Sequence, residues 1–489
     1  MRLRTTFLIA ALLLLGACAG KPLRITCSGF ADRLVPLPGG AVIDDIQSDQ
    51  GWHGTGDEVI GMTDAALADY MKEQYLARNS WLKPQLDNLR SAARQQRGPQ
   101  ATAISQPFFS WTSRPILLLS GGGQWGAFGA SYLKEVHART PSGLPDFRVV
   151  TGVSTGAMQS LFFGNWHNPE SRAEALNEMY KAYDIDDESE IVKRGGLPAL
   201  VSRGAMAQLG PLHERIIERI CPKGAKECPV IKAFQTKPAD SARADGGATT
   251  NYVLVGMVDA ESGDFKYVSL NALVDDQFVP GDADWQHRAA ECLAGAVLAS
   301  SAMPAYYQQV QVGDEKAGYH TYIDGGARAS VFQALISRAF SPAVLVQAIQ
   351  AAEPALSAKA AISATTDPGG PIYVIRNGPT SVVANEPTDK AWSGLTALQR
   401  AYAIMVNQSE VNSVAVIRLV QPKGELWLAT ADGYASFKNG KTRCEKANKD
   451  AMFEPNFMKC LFALGKEKAA IVRDNGGPWI SVSEVDAKR

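Results

Sequence analysis

Neither sign of charge is in excess in this chain of 489 residues, where 49 lysines and arginines face 50 acidic side chains for a formal net charge of -1. A nucleic-acid partner would call for a stripe of cations to neutralise phosphates, and no such Arg/Lys stripe occurs. The sequence therefore points away from nucleic acid. Histidine is scarce as well: the six present are scattered, and no doubled Cys-x-x-Cys spacing accompanies them, which leaves zinc the weaker reading of the cysteines. Long apolar runs are missing too. The uninterrupted run from Phe7 to Ala17 is too short for the roughly 20 residues that a membrane-spanning helix needs. With 46% hydrophobic and 20% charged residues and no internal repeat, the composition excludes disorder and fibrous architectures and leaves a folded globular chain with a sizeable core.

What is present at the N-terminus is an address. Arg2 and Arg4 ahead of the apolar run make residues 1–17 a signal peptide. The run closes on Leu15-Gly16-Ala17-Cys18, which resembles the lipobox of bacterial lipoproteins. That resemblance implies lipidation of Cys18 as the mature N-terminus, and Ala19 behind it implies the outer membrane; the expected location is the cell envelope, as an outer-membrane lipoprotein facing the periplasm, although no residue fixes the membrane face. Ordinary signal cleavage near the same site is the alternative. Six cysteines then remain in an oxidising compartment: Cys27, Cys221, Cys228, Cys292, Cys444 and Cys460. A short polar loop separates Cys221 from Cys228 and a second short segment separates Cys444 from Cys460, so local pairing is expected for these two pairs.

Three regions follow. Residues 18–111 read as an N-terminal tether and helical extension: a Gly/Asp-rich stretch from Gly39 to Gly61, then Leu67, Tyr70, Met71 and Tyr75 on one helical face, Leu82, Leu86, Leu89 and Ala93 on another, and a polar linker. Residues 112–420 alternate short β-type runs with helical patterns, the mark of a parallel sheet covered by helices. Candidate strands are Ile116 to Leu119, Phe147 to Val150, Tyr252 to Val258, His320 to Ile323, Val344 to Ala348 and Ile372 to Ile375, with a helix from Leu395 to Val416. Residues 421–489 read as a C-terminal addition. The acidic run from Asp184 to Glu190 lacks the Gly and Glu of an EF-hand at Ser189 and Gly195, so it reads as a solvated face rather than a calcium loop.

Chemistry concentrates in three places. Gly121, Gly122 and Gly123, with Gly126 three residues on, follow an apolar strand and open a helix, which frees several N-H groups to meet an anion. By itself this loop serves a phosphate or an oxyanion equally well. The next strand decides against a dinucleotide, because it ends not in Asp or Glu but in Gly152-Val153-Ser154-Thr155-Gly156, a G-x-S-x-G nucleophile elbow before a buried helix. Ser154 needs a base. The histidines after it, His167, His213, His287 and His320, sit in no telling motif, although chain order permits a Ser154-His320-Asp259 triad. The run from Tyr319 ends instead in Asp324-Gly325-Gly326, an acid at a strand end before a sharp turn.

In that order, Gly121 to Gly126, Gly152 to Gly156 and Asp324-Gly325-Gly326 resemble the three blocks of the patatin-like phospholipase family, and Ala299 to Pro304 resembles its Ala/Ser-rich segment. The resemblance implies a three-layer αβα fold with a mostly parallel central sheet. It implies hydrolysis of carboxylic esters of membrane lipids by a Ser-Asp dyad, with Ser154 as nucleophile, Asp324 as base and the amides of Gly121, Gly122 and Gly123 as oxyanion hole. No metal or cofactor is called for, and the sequence does not speak to oligomeric state. One residue departs from the pattern: Trp125 stands where the family usually carries Lys or Arg, so the headgroup preference is open and a scaffolding lipoprotein without turnover is the rival from another class.

Overall fold

The computed structural model of the chain describes residues 21–36, 115–140, 143–195, 199, 205–235, 251–332, 371–382, 394–420, 426–448, 452–473 and 477–482. Cys18, the two amphipathic patterns between Leu67 and Ala93, the linker and the strand expected at Val344 to Ala348 lie outside the described residues.

One sheet of 11 strands organises everything else. Its members are β1 (Leu23–Thr26), β2 (Val35–Pro36), β3 (Ile116–Leu119), β4 (Val149–Val153), β5 (Tyr252–Asp259), β6 (Phe265–Ser269), β7 (Val310–Asp314), β8 (Gly318–Asp324), β9 (Ile372–Arg376), β10 (Leu426–Thr430) and β11 (Ile480–Ser481). The main path runs β1-β7-β8-β5-β4-β3-β9-β10-β11, with β6 on β5 and β2 on β6. Strands β5, β4, β3, β9 and β10 are mutually parallel, and antiparallel pairs flank them. The sheet is mixed with a parallel centre, covered by helices in the three-layer manner expected. Every residue of β3 and β4 is buried, as it must be for strands covered on both faces, and this is why they read as continuous apolar runs rather than alternating ones.

The helices that matter for the site are α1 (Gly126–Arg139), α2 (Thr155–Ser160), α3 (Trp285–Ser301), α4 (Gly394–Val420) and α5 (Pro455–Ala469). Among the described residues no helix is long and apolar enough to cross a membrane. The helix expected at Leu395 to Val416 corresponds to α4. Strand β4 starts two residues later than expected and runs three further, because its backbone stays paired with both parallel neighbours as far as Gly152 and Val153.

The boundaries expected near 111/112 and 420/421 do not divide the sheet. Strand β1 pairs in parallel with β7, β2 pairs with β6, and a disulfide ties Cys27 to Cys292 on α3. At the other end β10 pairs with β9 and β11 with β10. Helix α5 lies on α1, close enough that a Cβ on Gly465 would come within 2.7 Å of Phe128 O. Short strands of this kind carry little pattern of their own; long-range pairing decides their place. The two local disulfides, Cys221–Cys228 and Cys444–Cys460, form as expected. In the acidic run, Asp187 caps a single turn by accepting from Ser189 N at 2.8 Å, and Glu190 pairs with Arg215 at 2.7 Å.

Candidate active site

Strand β4 ends at Val153, and Ser154 makes the turn into α2 at φ 53° and ψ -120°, a conformation that residues with a side chain seldom hold. The turn is closed by N-H groups of Ala157 and Met158, which donate to Ser154 O at 2.9 and 3.2 Å. Backbone passes backbone here. A Cβ on Gly152 would sit 2.3 Å from Gly156 O, and one on Gly156 would sit 2.1 Å from Leu119 O, so glycine is required on both flanks. Ser154 N donates to Ser300 Oγ at 2.8 Å, and Ser300 Oγ donates to Gly256 O at 2.6 Å. The Ala299 to Pro304 stretch thus braces the elbow from α3, a role that its letters alone did not disclose.

Asp324 arrives from the other direction. Strand β6 occupies one edge of β5 along Leu254 to Val258, so the opposite edge must take both β4, opposite Tyr252 to Gly256, and β8, opposite Met257 to Asp259. Parallel β4 and antiparallel β8 therefore run toward each other along one edge: Val153 is registered on Gly256 and Asp324 on Met257, the next residue. The two strand ends abut, and their side chains meet. Asp324 hydrogen-bonds the Ser154 side chain and accepts from Gly326 N at 2.7 Å. Burial pushes its carboxyl up to about 6, although the Ser154 hydroxyl and the Gly326 N-H pull the other way. Such a carboxylate holds protons far better than one in water.

The glycine loop lies beside this pair. Gly122 and Gly123 adopt φ of 148° and 55°, and a Cβ on Gly121 would touch Ser154 Cβ at 3.4 Å. The N-H groups of Gly121, Gly122 and Gly123 donate to no protein acceptor among the described residues, which suits a site for a transient oxyanion. Gly126 begins α1 against Thr155 and Tyr183, where a Cβ would lie 2.3 Å from Thr155 Oγ1. Trp125 packs edge-on to Tyr434 and Phe457 at 4.7 and 4.9 Å between ring centroids. It is therefore part of the wall that holds α1 and α5 together, as well as of the cavity lining.

A cavity of about 610 Å3 opens over Ser154 and Asp324, with Met158, Ile191, Leu212, Val297, Met303 and Val406 among its apolar lining. That volume and lining suit an apolar ligand group of modest length. None of the described histidines lines it. His213 pairs with Glu291 at 2.9 Å, and His320 lies in β8 opposite Val312. Asp259 is engaged by Lys266 at 2.6 Å and by the N-H groups of Glu261 and Ser262, so the triad permitted by chain order is not assembled. The reading from sequence missed Arg376, Asn377 and Glu410, which line the same cavity from β9 and α4; Arg376 Nε lies 3.1 Å from Glu410 Oε1. Among the described residues no group of His, Cys, Asp and Glu is placed to hold a metal ion.

The family model described as patatin-like phospholipase matches residues 117–335, a match that supports lipid acyl hydrolysis as the class of activity. Among solved structures, the chain is similar to VipD from Legionella pneumophila, at 11% identity and a TM-score of 0.28 over 74% of this chain and 69% of that one. No curated protein matches.

Proposed function

From the patatin-like domain that residues 117–335 form, we propose that this chain is a serine acyl hydrolase that cleaves carboxylic esters of membrane lipids through a Ser154-Asp324 dyad. The observation that carries the proposal is the contact between an elbow serine and a buried carboxylate of raised proton affinity, in a cavity that no described histidine lines. Ser154 Oγ attacks the acyl carbonyl carbon while Asp324 takes its proton, and the N-H groups of Gly121, Gly122 and Gly123 receive the oxyanion. Collapse of the tetrahedral intermediate breaks the ester bond, and Asp324 returns the proton to the departing alcohol. Water then attacks the acyl-enzyme with Asp324 again as base, releasing the carboxylic acid and restoring Ser154.

The lipid substrate and the address at the N-terminus support one another. Lipidation of Cys18 would anchor the protein in the outer membrane, at the surface where its substrate lies. Ester hydrolysis by wild type and Ser154→Ala, on lipid vesicles and on a soluble short-chain ester, tests the proposal. Wild type is expected to turn over both and to be labelled by a fluorophosphonate; Ser154→Ala is expected to lose at least about three orders of magnitude in turnover and all labelling. Wild type that neither reacts nor hydrolyses would instead favour the scaffolding lipoprotein.

A further inference from the structure

Beyond the matched residues, the chain supplies a clasp on the glycine loop. Asn377 follows β9 directly and is 2% exposed. Its backbone N-H donates to Ser120 Oγ at 2.9 Å and its Nδ2 donates to Ser120 O at 2.8 Å, so it grips the residue just before the first loop glycine twice. The second Nδ2 hydrogen goes to Gln159 Oε1 at 2.9 Å. Gln159, fully buried on α2, donates from Nε2 to Asn377 Oδ1 at 3.1 Å and to Gly126 O at 2.9 Å. Two side-chain amides thus satisfy each other reciprocally, and their remaining donors hold the carbonyls at the two ends of the loop. The middle is held by contact, since a Cβ on Gly122 would lie 2.0 Å from Asn377 O.

A loop whose three leading N-H groups lack protein acceptors among the described residues has nothing of its own to aim them. Oxyanion donors are effective only when they already point at the place where charge develops, because water-like reorganisation during the reaction would forfeit most of their benefit. Both N-H donors of each side-chain amide are used and each amide oxygen accepts from the other amide, which makes the clasp stiff. It reaches both ends of the loop without supplying any oxyanion donor. Resting on the acyl-hydrolase reading, we infer that Asn377 and Gln159 are positioning residues that set the oxyanion loop through Ser120 and Gly126. Through Asn377, a residue C-terminal to the family match accordingly helps to set the oxyanion loop.

Asn377→Ala and Gln159→Glu test this. The first deletes the amide; the second keeps an acceptor for Asn377 Nδ2 but removes both donors. Each is expected to lower kcat by about 10- to 100-fold, less than loss of an oxyanion donor itself, with KM within about twofold of wild type. Fluorophosphonate labelling of Ser154 should slow by a similar factor, since the adduct uses the same N-H groups. The pH midpoint of turnover should not move, and the double variant should lose no more than the worse single one, because the two amides act as a unit. Wild-type kcat in folded Asn377→Ala, a change confined to KM, or multiplied losses in the double variant would each overturn the inference. Should Asn377→Ala fail to fold, Gln159→Glu is judged by the same kcat, KM and labelling criteria. Inactive, unlabelled wild type would overturn the hydrolase reading and the inference with it, whereas active wild type beside an unimpaired clasp variant overturns the inference alone.

Discussion

Asp324 shows how much one side chain's surroundings change what it can do. In water a carboxylate near pH 4 is a poor acceptor for a serine proton; buried against Ser154 it titrates at about 6. As the proposed base it must be ionised, so kcat/KM on a soluble ester is expected to fall as pH drops through about 6 and to level off above about 7. A flat profile between pH 5 and 8 would contradict this. The same shift bears on stability with a definite sign. The folded state binds this proton more tightly than the unfolded one, so stability declines as pH rises from about 4 to about 6, by at most roughly 3 kcal/mol. Asp324→Asn is accordingly expected to abolish turnover about as fully as Ser154→Ala, yet to melt higher than wild type at pH 7 and no higher at pH 4. His320→Ala, outside the cavity lining, should keep most activity; a dead His320→Ala beside an active Asp324→Asn would reverse the assignment of the base.

At the scale of elements, the disulfides divide by the length of chain they close. Cys221–Cys228 and Cys444–Cys460 span 7 and 16 residues, whereas Cys27–Cys292 spans 265 and fastens the edge strand β1 to α3. Loop entropy predicts that the longest closure stabilises most, by up to about 5 kcal/mol against about 2 to 3 for the short ones. Thermal melts of Cys27→Ser/Cys292→Ser and Cys221→Ser/Cys228→Ser should therefore show the larger fall for the first pair. The reverse order would mean that β1 is held chiefly by its pairing with β7. Local pairing was legible because short spacers leave two cysteines few other partners nearby. Cys27 and Cys292 carry no such cue: only the register of Leu23 on Val310 brings their elements together.

For the whole molecule, the family match ends before β9 and β10, two of the five strands of the sheet's parallel centre, are reached. Strand β3 takes β9 as its second neighbour, β9 takes β10, and Ser131 Oγ on α1 donates to Phe462 O on α5 at 2.7 Å. A chain ended after residue 335 is expected to lack cooperative melting and turnover, because β3 would be left as an apolar edge and α1 would lose its cover. Soluble, active protein of that length would show instead that the 117–335 segment is self-sufficient.

What the amino-acid sequence determined by itself is what a few adjacent residues impose. The elbow at Ser154 needs glycine at 152 and 156 because main chain passes main chain there, and the Asp324-Gly325-Gly326 turn, the strand at Ile116–Leu119 and the two short disulfides are equally local. Only the tertiary structure decided that β4 and β8 would run end to end along one edge of β5, which turns two separate motifs into one contact. It likewise decided the burial that raises Asp324, the place of β1, β10 and β11 in the sheet, and the reach of Asn377 across 257 residues to Ser120. Those outcomes depend on backbone pairing and desolvation between distant segments, and neither leaves a periodicity or spacing in any one of them.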